Sequence, residues 1–65
     1  MQVNQTSKDS ATVSFTVAEL ILLNNALNES LNGIEAPAFE TRLGAPRRDA
    51  EALLLQVDSL LDKMR

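Results

Sequence analysis

Ala50, Leu53, Leu54, Val57, Leu60, Leu61 and Met64 recur at intervals of three and four. That interval lines one side of an α-helix with apolar side chains. The stripe constrains the chain more than any other feature, because a helix so patterned has to lie against something apolar. Pro46 falls at its first turn, where a fixed φ helps and a missing N–H costs little. The spacing predicts a helix over about 46–63, roughly 27 Å long at 1.5 Å per residue. Arg47 and Glu51 form an i, i+4 pair on its open side.

A second helix is predicted over about 17–32. Thr16 and Glu19 make a T-x-x-E capping box, and Phe15 with Leu20 makes the hydrophobic staple beside it. Leu20, Leu23, Leu27 and Leu31 mark its apolar face, and Gly33 is expected to end it in a left-handed conformation. A short helix over about 38–43, with Phe39 and Leu43 inward and Gly44 ending it, follows a connector at Glu35–Ala38.

The first twelve residues are polar and aperiodic, with too little apolar content to offset the entropy of ordering. They are predicted to be a flexible tail, leaving a single helical domain over 13–65. Val13 and Phe15 alternate with Thr12 and Ser14, a weak extended signal. The predicted fold class is all-α: two long antiparallel helices joined by the short one, closing on an aliphatic core. That core would comprise Phe15, Leu20, Leu23, Leu27, Leu31, Ile34, Phe39, Leu43, Ala50, Leu53, Leu54, Val57, Leu60, Leu61 and Met64.

Composition narrows the chemistry. Among 65 residues there is no Cys and no His, so neither a disulfide nor a thiolate or imidazole metal site is available. Without His, Cys or Tyr there is little for acid–base or nucleophilic work, and no catalysis, cofactor, metal or small-molecule substrate is expected. Asp58 and Asp62 stand four apart on a helix and are read as solvated charges rather than a cation site. The polar start lacks the apolar run of a secretory leader and nothing approaches a bilayer span, so the expected location is cytoplasmic, without a membrane.

A domain this small buries only about 60% of the surface its unfolded chain exposes. With disulfide and metal excluded, association is the remaining support. The expected function is therefore a helical protein–protein interaction module, a homodimer or one member of a complex. Apolar residues off the main stripes mark its candidate interface: Ile21, Leu22 and Leu55, joined by Asn25 and Asn28. Asn25, Asn28 and Asn32 share a face, while Asn24 borders the leucine stripe, where one asparagine can fix helix register.

Two alternatives come from other classes. Residues 36–55, with Phe39 and Leu43 before Gly44 and with Ala50 and Leu53 after it, resemble the helix-turn-helix of bacterial regulators, including MarR-like winged-helix proteins. The resemblance implies DNA contact by Arg47 and Arg48. A ribbon-helix-helix with Val13–Phe15 as ribbon is a weaker match. The net charge of −3 runs against a phosphate footprint. It fits the second alternative, a small acidic protein that neutralises a basic partner.

Overall fold

The computed structural model describes residues 1–65. Strand β1 (Gln2–Thr6) pairs antiparallel with β2 (Ala11–Ser14), and three helices follow: α1 (Val17–Gly33), α2 (Ala36–Leu43) and α3 (Arg47–Lys63).

The hairpin overturns both the all-α class and the flexible tail at 1–12, and the boundary drawn at residue 12 falls inside β2. Its pairing is mostly polar, which is why apolar periodicity did not reveal it. Val3 faces Val13, Thr6 faces Ala11, and Asn4 Nδ2 donates to Ser14 Oγ at 2.8 Å. The β-branched Val3, Thr6, Thr12 and Val13 favour an extended backbone. The turn closes through serines: the Ser7 N–H donates to the Ser10 carbonyl at 2.8 Å, and the Ser10 N–H donates to Ser7 Oγ at 3.1 Å. Register slips by one residue at Asn4.

Helix α1 begins with the full capping box. The Glu19 N–H donates to Thr16 Oγ1 at 3.1 Å, and the Thr16 N–H donates to Glu19 Oε1 at 3.0 Å. The Met1 ammonium also reaches Glu19 Oε2. That ammonium, followed by the bonds from Thr16, holds the Glu19 carboxyl below its ordinary 4.5. A lowered folded pKa means the charged carboxylate stabilises the fold above the unfolded pKa, and the gain disappears as pH falls through the folded value. The stability difference between the wild type and Glu19→Gln is therefore expected to close on acidification. Urea melts at stepped pH test this; a gap that widens toward acid would contradict it.

The end of α1 differs from expectation. Gly33 is helical rather than left-handed, and Gly44 is the one residue with positive φ, at 80°. The Ile34 N–H still donates to the Ser30 carbonyl at 3.2 Å, so the helix stops by turning extended at Ile34 and Glu35. A direct contrast follows, since an added Cβ at either glycine meets nothing within 4 Å. Gly33→Ala should stabilise by about 0.5–1 kcal/mol through helix propensity. Gly44→Ala should cost about 1–2 kcal/mol from the left-handed backbone alone. Equal shifts of the urea midpoint would contradict the two conformations.

The helical part is not a two-helix hairpin. Pro37 sits in the first turn of α2 instead of in a connector, so α2 runs eight residues. Its Phe39, 1% exposed, is the most completely buried side chain, which makes α2 a core element rather than a cap on the other two helices. Leu20 of α1 clusters with Val57 and Leu61 of α3, with Phe15 and Leu27 against them. Asn24 is half-buried and donates to the Asp58 carboxylate across the α1–α3 contact, accepting in turn from Asn28 at 3.2 Å. No helix is long and apolar enough to cross a membrane.

Candidate interaction groove

Of the fifteen residues expected in the core, only Leu20, Leu31, Phe39, Val57 and Leu61 are buried. Phe15, Leu27, Ile34, Ala50 and Leu54 are half-buried; Leu23, Leu43, Leu53, Leu60 and Met64 are exposed. The stripes are where the sequence puts them, but the fold leaves half their width open.

The open half is continuous. Between α1 and α3 runs a groove of about 410 Å³ lined by Phe15, Leu20, Leu23, Leu27, Leu53, Gln56, Val57 and Leu60. Seven of those eight side chains are apolar, and none is charged. A second hollow of about 210 Å³, bounded by Leu27, Phe39, Leu43, Ala45, Asp49, Ala50 and Leu53, extends it toward α2. Leu27 and Leu53 line both, so the two form one trough. From Leu60 to Asp49 it follows α3 for roughly 17 Å. Leu53, 49% exposed, stands at its middle.

The dimensions of the molecule agree. Its extents are 36 × 32 × 15 Å, a flattened shape. The three helices enclose only five side chains, so much of the apolar surface stays open. The radius of gyration, 13.2 Å, exceeds the roughly 10.7 Å of a compact chain of this length. The accessible surface, 5107 Å², exceeds by roughly 1,000 Å² that of a compact monomer of the same mass.

The candidate interface residues lie elsewhere. Ile21, Leu22 and Leu55 are exposed, as are Asn25 and Asn28, and none of the five lines the trough. The residues that do line it, Gln56, Ala45 and Asp49 apart, were assigned to the core, because periodicity reports which face is apolar and not what covers it. The warning sign was arithmetic: fifteen core residues are more than three helices in a 65-residue chain can enclose.

Arg47 and Arg48 are treated differently by the fold. Arg47 is half-buried; its Nε donates to Glu51 Oε1 at 3.1 Å, and its guanidinium lies 5.7 Å from the centre of the Phe39 ring. That group is committed to α2 and α3 within the chain. Arg48 is exposed. No three acidic side chains converge on one point. The chain matches no family model, no curated protein and no solved structure.

Proposed function

We propose that this protein is a self-associating interaction module whose trough between α1 and α3 is covered by a second copy of the same chain. The observation that carries the reading is the open trough itself, with seven apolar side chains and no charge along its α1–α3 length. A second copy laid on the first would cover the open apolar faces of α1 and α3. A two-fold arrangement applies one patch to itself, so the patch must not repel itself. A trough whose only charged lining residue is Asp49, at its α2 end, meets that condition.

The DNA-binding alternative draws less support, because the Arg47 guanidinium is already engaged with Glu51 and Phe39. Binding that is specific to the folded chain raises its thermal midpoint by mass action. The midpoint is therefore expected to climb by several degrees as chain concentration rises a hundredfold. A midpoint independent of concentration over that range contradicts self-association.

A further inference from the structure

Neither β1 nor β2 packs against any of the helices, although the Met1 ammonium before β1 reaches Glu19 of α1. An isolated two-stranded sheet is marginal in water, and three or more strands with an apolar face are needed for independent stability. Its two edges are unlike. The β1 edge is interrupted at Asn4, where register slips, an irregularity that discourages further pairing. The outer edge of β2 is Ala11-Thr12-Val13-Ser14, regular, uncharged and free of proline and glycine. It carries none of the devices that blunt an exposed edge.

We infer that β2 pairs antiparallel with β2 of a second copy, making a four-stranded sheet with order β1-β2-β2-β1 and its two-fold axis at Val13. The register follows from the pleat. Residues directly opposite in antiparallel strands share a face, so the apolar set stays together only if odd positions meet odd positions. With Val13 opposite Val13 of the second copy, Ala11 meets Phe15, small against large. Val3 already faces Val13 within each chain, so one row of four valines crosses the sheet.

This inference rests on the self-association proposed above and adds a strand pairing to it. The occupant is a second copy because β2 is self-complementary in this register and uncharged throughout.

The chain contains no cysteine, so a single introduced cysteine can form only intermolecular disulfides. Facing Cα atoms in such a pair lie about 4.5–5.5 Å apart, within disulfide reach. Two Lys8 residues at the turn tips would lie roughly 34 Å apart along the strands. Val13→Cys is therefore expected to cross-link at least tenfold faster than Lys8→Cys under mild oxidation. In the wild type, amide hydrogen exchange over Ala11–Ser14 should slow with rising chain concentration, a readout that needs no substitution. Cross-linking at Val13 no faster than at Lys8, with exchange over β2 insensitive to concentration, overturns the strand pairing. If the wild-type mass is dimeric in that case, the trough reading stands alone. A mass that stays monomeric overturns both.

Discussion

Val57→Asp is expected to unfold the chain at every concentration, with loss of helical circular dichroism and of any cooperative urea transition. Val57 is one of the three buried members of the α1–α3 cluster, between Leu20 and Leu61. An uncompensated charge in a protein interior costs about 3–5 kcal/mol. The whole stability of a domain this size is on the order of 3–10 kcal/mol. With five buried side chains in total, the core has no reserve to absorb that loss. A variant that keeps its wild-type midpoint would mean that α3 does not present this face to α1.

Leu53→Asp is expected to act on a different equilibrium. Leu53 sits where the two hollows meet and is half open in the single chain, so an aspartate there can stay hydrated in the monomer. In a two-fold dimer the same substitution is buried twice. Central apolar anchors contribute about 2 kcal/mol or more each, so the dimer should weaken on the order of 10³-fold. Leu55→Asp and Leu22→Asp are the matched comparisons, since both positions are more exposed than Leu53 and neither lines the trough. Sedimentation should give the monomer mass for Leu53→Asp and an unchanged mass for the other two. The reverse pattern would move the interface to the outer leucine faces of α1 and α3.

The helices were legible because their signals are local. Thr16 and Glu19 write the start of α1 into four residues, and Gly44 with Pro46 writes the α2–α3 junction into three. Of the hairpin only β2 was legible, through the weak alternation of Val13 and Phe15; the rest was not, because its turn, Ser7-Lys8-Asp9-Ser10, holds neither glycine nor proline, and its cross-strand pairs are mostly polar. Asn32-Gly33 carried a turn-like dipeptide where the backbone remains helical, since Ile34 keeps its bond to Ser30. The trough was half legible. Leu23, Leu53 and Leu60 were recognised as apolar-face residues, yet whether a face is covered depends on how many layers the chain can supply, which no local pattern encodes.

That open face makes mass in solution the most direct measurement. Light scattering across chain concentration should approach a plateau of about 14 kDa, twice the 7.1 kDa of one chain. A mass fixed at one chain up to millimolar concentration, with the helices intact, would contradict the account, because the trough would then be stable bare in water.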